Sequence, residues 1–421
     1  MDAYVITLKV AMIFFFVMIA AEWIICHFAK KNYVSAFDTI SGISSGMTNN
    51  IKSIFKLTVV IISYEWMVNQ FAIFHIESSF WLYVLAFIGT DFAYYWTHRW
   101  NHEINLMWNT HIIHHSSEEF NLSCALRQSI SGIVQVYFFL YIPLAIIGIP
   151  SQVMNIILPL HLFAQFWYHT RLIDKMGFLE NLIVTPSHHR VHHAINKEYL
   201  DKNYASIFII WDKLFGTFQE ELKDVPAVYG VKKPVKTWNP LLINFMHLVL
   251  LFKDAYRTKN WLDKIKVFYK KTGWRPDDVA KKYPVEIIEN PYTQKKYTSQ
   301  STQLLTYWSF FQLILHFGIQ YHIIDLLPKF HYQQLIIYAI FCLVSIFSYT
   351  SLMDRHWLAV PLEIIKVFVG LYIVYFLGEM FQFSETFNIS SIFLYLYLLL
   401  SFAITTYYTI VVKPSPRLAI N

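Results

Sequence analysis

The chain has 421 residues, 56% of them apolar and 18% aromatic, with only 15% charged and a net charge of +6. Soluble domains run nearer a quarter charged, so this composition excludes an ordinary soluble protein and indicates a polytopic membrane protein. The lysines and arginines concentrate between Arg171 and Lys296. Beside membrane spans such a block marks the cytosolic side and attraction to anionic lipid, and with no recognition motif it gives no support to nucleic-acid binding.

In chain order, apolar runs fall near 4–27, 54–74, 79–97, 130–149, 152–170, 304–325, 334–352, 357–378 and 391–412. Each approaches the roughly 20 residues a crossing helix needs. The first run lacks a basic flank and a cleavage site and is read as a span, not a removed signal. Glu65 and Asn69 interrupt the second, and Gly148-Ile149-Pro150 makes a tight turn between the fourth and fifth. Lys30, Lys31, Lys52 and Lys56, the 171–303 block, Asp354-Arg355 and the tail from Lys413 to Arg417 all fall on one side, and Lys329 is the exception opposite. The expected fold is therefore an all-α polytopic membrane helix bundle of about nine spans, its amino end outside and a histidine-rich di-metal cap on the cytosolic side. The host membrane is the endoplasmic reticulum in a eukaryote or the cytoplasmic membrane in a bacterium.

The expected domains are 1–78, two membrane spans; 79–220, the catalytic region; 221–303, a cytosolic basic segment; and 304–421, four closing spans. Within the polar stretch, Asn203 to Phe218 (NYASIFIIWDKLFGTF) reads as a helix lying at the interface or capping the site. The closing spans carry few ionisable groups, with His316, His322 and Glu379 the exceptions. Cys26, Cys124 and Cys342 are far apart and imply neither a disulfide framework nor a CxxC site.

Half of the chain's 18 histidines lie in two short stretches, Asp91–His115 and Ser187–His193. His98 and His102 are four apart and share a helical face. His111, His114 and His115 follow the i, i+3, i+4 rule, and His189, His192 and His193 repeat it. His188, one residue off its face, and His169, closing the fifth span, are further candidates. Eight to ten imidazoles are too many for one ion and suit two, at four or five ligands each. A lone helical histidine is more often an ordinary hydrogen-bonded residue, but three ligand-spaced clusters at one membrane boundary point to a shared metal site. Neutral imidazole suits zinc, copper, iron or nickel, and spacing does not choose among them.

No CxxC, P-loop or GxSxG accompanies the histidines. A two-metal, all-imidazole site with few carboxylates is better suited to oxygen activation than to zinc hydrolysis, and apolar spans would hold a lipid chain. Asp91, seven residues before His98, is placed either to accept a ligand's second ring N–H or to bond a neighbouring helix. Glu103, beside His102, is a ligand, a partner of one, or solvated. Glu118, Glu119 and Arg127 read as a solvated loop, with Arg127 able to grip an anion. A metal transporter would spread polar residues through several mid-membrane segments, which these histidines do not do. A binding-only receptor would be expected to lack box histidines.

The strings HxxxH (His98–His102), HxxHH (His111–His115) and HxxHH (His189–His193) resemble the fatty acid hydroxylase/sterol desaturase superfamily. The longer strings HRWNHEINLMWNTHIIHHSSEEFNLSCALRQS and TPSHHRVHHAINKEYLDKNYASIFIIWDKLFGTF are similar to its alkylglycerol monooxygenase family, densely from about residue 85 to 240. That resemblance implies the eight box histidines as ligands of two Fe ions, O2 as co-substrate and tetrahydrobiopterin as electron donor from a pterin reductant system. It implies hydroxylation of the ether-linked carbon of an alkylglycerol lipid, giving a fatty aldehyde and a glycerol derivative. It also matches Glu103 to the acid that follows the first box, so that Glu103 and Asp91 are the candidate catalytic carboxylates. The alternative within the superfamily is a hydroxylase or desaturase of a fatty acyl or sterol-like substrate. No pterin motif is legible.

Overall fold

The computed structural model describes residues 3–299, 301–327, 331–376 and 391–412. Lys329, Glu379 and the Lys413–Arg417 tail lie outside the described residues. The chain opens with helices α1 (Ala3–Phe28) and α2 (Ala36–Ile54), then a two-residue strand β1 (Val59–Val60) and α3 (Tyr64–Phe71). The long helix α4 (Phe80–Glu103) leads into the short α5 (Asn105–Trp108) and α6 (Ile112–His115). Strand β2 (Val134–Gln135), α7 (Ile142–Ile147), α8 (Ser151–Phe163), α9 (Pro186–His192) and α10 (Ile210–Phe215) follow. Next come α11 (Pro240–Arg257), α12 (Trp261–Tyr269) and α13 (Asp277–Lys282). The end is four long helices, α14 (Gln303–Leu326), α15 (Tyr332–Met353), α16 (Ala359–Phe376) and α17 (Ser391–Thr406).

Two compact units result, one of residues 1–55, 236–243 and 296–421, the other of 56–235 and 244–295. In the first, α15 packs against α2, α14 and α16, and α16 against α17. Its interior holds a fully buried ion pair, Lys366 Nζ to Glu363 Oε1 at 2.5 Å. Ser348 Oγ donates to Glu363 at 2.6 Å and Lys366 donates to Ser401 Oγ at 2.6 Å, so neither charge is left bare. His316 is buried with Nδ1–H donating to the Gln312 carbonyl at 2.8 Å, and His322 is buried too. The three cysteines are buried and form no disulfide with one another.

The helical, membrane-type architecture is as expected, while the count of about nine crossings is not confirmed. Among the described residues four helices are long and apolar enough to cross: Lys9–Phe28, Tyr332–Met353, Ala359–Phe376 and Ile392–Val411. The predicted span 54–74 yields only the eight-residue α3, about 12 Å of helix against a bilayer core of about 30 Å. Its β-branched run Thr58-Val59-Val60-Ile61-Ile62 favours extended chain, and β1 pairs in parallel with β2 through Val59–Val134 and Val60–Gln135. The predicted spans 130–149 and 152–170 contribute the six-residue α7 and the thirteen-residue α8. Helix α4 is long enough, yet it carries Asp91, Arg99 and two histidines; α14 carries Gln312, His316 and Gln320 on one buried side.

In the second unit α4 packs on α8, and α3 on α7 and α8. Leu82, Ala86, Leu144, Ile149, Val153, Met154 and Ile157 form the core that holds α4 in place. The turn between α7 and α8 depends on Gly148, whose φ of +90° is left-handed and whose added Cβ would lie 1.9 Å from the Phe74 carbonyl oxygen. Gly148→Ala is therefore expected to cost at least about 2 kcal/mol, from backbone strain plus the clash. Thermal unfolding in detergent measures it, and an unchanged midpoint would refute the constraint.

Candidate metal centre

The second unit brings three separate parts of the chain to one place. His98 and His102 lie one turn apart at the carboxyl end of α4. His111 caps α6, whose single turn ends in His114 and His115. Thr185 caps α9 in a capping box with His188, Pro186 opens the helix, and His189, His192 and the terminal His193 follow. His169 reaches the same place from the loop after α8. Ligand atoms of His98, His102, His111, His115 and His192 lie within 4.8 Å of one another, as do those of His114, His169, His189 and His193. All eight box histidines thus converge, together with His169. His188 does not: its ring faces Thr185 and Glu180 instead, with Nε2 3.5 Å from the Glu180 carboxylate.

The rings meet Nε2 to Nε2. His98 and His111 stand 2.9 Å apart, His111 and His115 3.1 Å, and His115 and His192 3.1 Å. In the other group His169 stands 2.9 Å from His189, and His193 stands 3.0 Å from His189 and 3.1 Å from His114. Three outer nitrogens fix this orientation by donating to backbone carbonyls. His98 Nδ1–H donates to Tyr204 at 2.7 Å, His192 to Lys202 at 2.9 Å and His169 to Gln165 at 2.9 Å. Those rings therefore turn bare Nε2 lone pairs inward, the tautomer a metal ligand needs. His102 Nε2 is buried without a protein partner. Lone pairs crowded at 3 Å repel unless a cation lies among them, and an all-imidazole set fits borderline divalent ions. The residues present thus fit bound metal.

Burial keeps the cluster uncharged. It lowers His98 to about 4 and His169 to about 3, and holds His102, His111, His114, His115, His189, His192 and His193 well below the usual 6.5, with mutual repulsion adding for these seven. Aromatic walls exclude water: Trp108 lies on His102 and His115, Phe120 on His169 and His193, and Tyr168 on His189.

Asp91 takes the second of the two placements expected for it, bonding a neighbouring helix. Asp91 does not reach a box histidine. It pairs with His161 Nε2 at 2.7 Å and accepts from Trp211 Nε1 at 2.9 Å and from the Ile207 and Phe208 N–H groups, both at 3.0 Å. Asp212, also fully buried, accepts from the N–H groups of Tyr204 and Ala205, both at 2.8 Å. Those four diverted N–H groups explain why Asn203–Phe218 is not one helix. Only Ile210–Phe215 coils, and the segment before it is an extended strap whose Lys202 and Tyr204 carbonyls hold His192 and His98. Glu103 pairs with Arg99 at 3.0 Å and joins neither histidine group. Arg127 is buried, donating to Ser116 Oγ at 2.8 Å, while Glu119 pairs with Arg171 at 2.7 Å, so that loop is packed. Arg190, between two box histidines, is clamped by Glu221 at 2.6 Å. Pattern reading missed His161 and the strap carbonyls; the eight-residue step from His161 to His169 was the only hint of the former.

Residues 83–217 match the family model described as fatty acid hydroxylase. The chain is 36% identical to alkylglycerol monooxygenase of Homo sapiens over 338 residues, 80% of this chain and 75% of the relative. It is 33% identical to alkylglycerol monooxygenase of Xenopus tropicalis over 366 residues, 86% of this chain and 81% of the relative. Ornithine lipid hydroxylase OlsE of Rhizobium tropici is 30% identical over 148 residues, 35% of this chain and 45% of the relative. No solved structure matches the chain at a significant level. Helical membrane architecture, buried histidine cluster and these matches together define a membrane-bound lipid monooxygenase of the fatty acid hydroxylase superfamily, an oxidoreductase. Within that superfamily the chain belongs to the alkylglycerol monooxygenase family.

Each histidine group predicts its own loss. His102→Ala and His189→Ala should each remove about one metal equivalent per chain, read by elemental analysis of purified protein; an undiminished count in both would refute two groups. In metal-free protein the unfolded chain takes up protons near 6.5 while folded His98 resists to about 4. Stability should be full above about pH 6.5 and fall as pH drops from there toward about 4. A midpoint flat across that window overturns the buried neutral cluster.

Proposed function

We propose that this enzyme cleaves the ether bond of alkylglycerol lipids, with His98, His102, His111, His115 and His192 holding one iron and His114, His169, His189 and His193 the other. The observation that carries the reading is the inward convergence of nine imidazoles in a chain aligned with alkylglycerol monooxygenases over 80% of its length. When bound, the irons supply dioxygen activation and a reduced tetrahydrobiopterin supplies two electrons. One oxygen atom enters the C–H bond of the ether-linked carbon and the other leaves as water. The resulting hemiacetal falls apart to a fatty aldehyde and a glycerol derivative.

The chain's own part is positional. Carbonyls of Lys202, Tyr204 and Gln165 keep three ligand rings oriented, and the aromatic walls keep water from a reactive oxidant. Asp91 acts as a positioning residue, because it ties α4 to His161 and to the strap that holds His98. Residues 79–220 form the catalytic region in this reading. The active site faces the cytosol, where the basic 171–296 stretch meets anionic lipid, in the endoplasmic reticulum of a eukaryote or the cytoplasmic membrane of a bacterium.

A second reading, hydroxylation of another acyl lipid, is favoured by one observation: the ornithine lipid hydroxylase match. Purified protein given alkylglycerol, oxygen and reduced pterin should release fatty aldehyde, with two irons per chain. His192→Ala should lower turnover at least about 100-fold while the protein still folds. No aldehyde, together with turnover of an acyl lipid, would favour the second reading and overturn the first.

A further inference from the structure

The hairpin of α11 and α12 presents an apolar face that none of the described residues covers. Val249, Phe252 and Tyr256 lie along one side of α11, and Trp261, Leu262, Ile265 and Tyr269 along one side of α12. Tyr256 is 87% exposed and Trp261 79%, although both rings are large and apolar enough to be strongly favoured out of water. The other side of each helix is packed, with Leu251, Asp254 and Val267 buried. The hairpin is thus a folded, two-sided element.

Its charges identify the occupant. Lys253, Arg257, Lys259 and Lys270 are exposed along and between the two helices. Of the nearby acids, Asp254 pairs with Arg275 at 2.6 Å and Asp263 with Lys266 at 3.0 Å, while Asp278 accepts the Lys259 N–H at 3.0 Å. Arg257 stacks on the Tyr283 ring at 4.0 Å, and the exposed Lys253, Lys259 and Lys270 beside tryptophan, tyrosine and aliphatic side chains match the interface of an anionic lipid leaflet, where aromatic rings seat at headgroup level and lysines meet phosphate.

The same hairpin is bolted to the end of the helix that carries His98 and His102. Asn105, two residues beyond that helix, is buried. Its N–H donates to the Lys270 carbonyl at 2.9 Å, and its side-chain amide donates to the carbonyls of Val267 at 2.9 Å and Trp274 at 3.0 Å. Its side-chain oxygen accepts from the Gly273 N–H at 3.1 Å and its carbonyl from His247 Nε2 at 2.9 Å. Thr272 N–H donates to the Glu103 carbonyl at 3.2 Å. Whatever fixes the hairpin therefore fixes the height of α4's ligand end.

We propose that the α11–α12 hairpin is an interfacial anchor that seats in the headgroup layer of an anionic leaflet and, through Asn105, sets the depth of the histidine cluster relative to that surface. This goes beyond the reaction assigned above and does not depend on it. The spans keep the protein in any bilayer, so the test reads local depth. The full chain, reconstituted in phosphatidylcholine vesicles with or without phosphatidylserine, carries an environment-sensitive fluorophore at Leu262→Cys, with Lys281→Cys on polar α13 as control. The label at 262 should shift to the blue, resist aqueous iodide and be quenched by nitroxide lipids labelled near the headgroup, more strongly with phosphatidylserine; the control should remain open to iodide. Replacing Lys253, Lys259 and Lys270 together by Gln should abolish the phosphatidylserine dependence. Iodide access at 262 equal to that at 281 overturns the proposal. So does shielding at 262 that persists in detergent and grows with protein concentration, the signature of a second copy covering the face.

Discussion

Nine neutral imidazoles facing one another across about 3 Å is the constraint on which the rest of the second unit depends. Left to themselves these rings would turn their lone pairs outward to water. The fold holds His98, His192 and His169 from behind through their outer nitrogens. The strap after α9 gives up helical hydrogen bonding so that its carbonyls can accept from His98 and His192. The strap in turn is held by two buried carboxylates, Asp91 and Asp212, which take its free N–H groups. Ligand geometry, strap conformation and the packing of α4 on α8 are thus one connected network.

Such a network accounts for the position of charge in an apolar protein. Asp91 is fully buried in the long helix α4, a placement that is costly unless every lone pair is used. Its partners come from α8, α10 and the strap, so the cost is offset by bonds that also orient the site. The Glu363–Lys366 pair in the other unit follows the same rule, each partner being satisfied by a neighbouring hydroxyl. In both units a buried charge is found together with hydrogen bonds that secure its helix.

Much of the site was legible before any coordinates. The i, i+4 step from His98 to His102 and the two HxxHH strings carry metal-ligand spacing in themselves, because a helical turn puts those rings on one face. The grouping into two sets was legible as a ligand count. What could not be read was membership at the margin. His188 and His189 are adjacent, and the Thr185 cap, not the spacing, turns the first toward Glu180 and leaves the second for the cluster. His169 enters from a loop, where no periodicity applies. Hydropathy likewise marked 54–74 and 130–149 correctly as apolar but not as short helices and paired strands, since average apolarity does not register a β-branched run or a Gly-Ile-Pro turn.

By itself the sequence determined the class of environment, the chemistry of the donor set and the helical segments that carry it, because composition, residue type and local spacing are properties of the chain. Tertiary structure alone decided which nitrogen of His98 faces inward, that Asp91 serves the strap instead of a ligand, and that Asn105 fastens an exposed aromatic hairpin to the helix that carries His98 and His102. The bonds from His98 to Tyr204, from Ile207 to Asp91 and from Asn105 to Val267 each join residues 100 or more positions apart. No local pattern encodes such a partner, and burial in a dry interior is what makes the choice between partners energetically decisive.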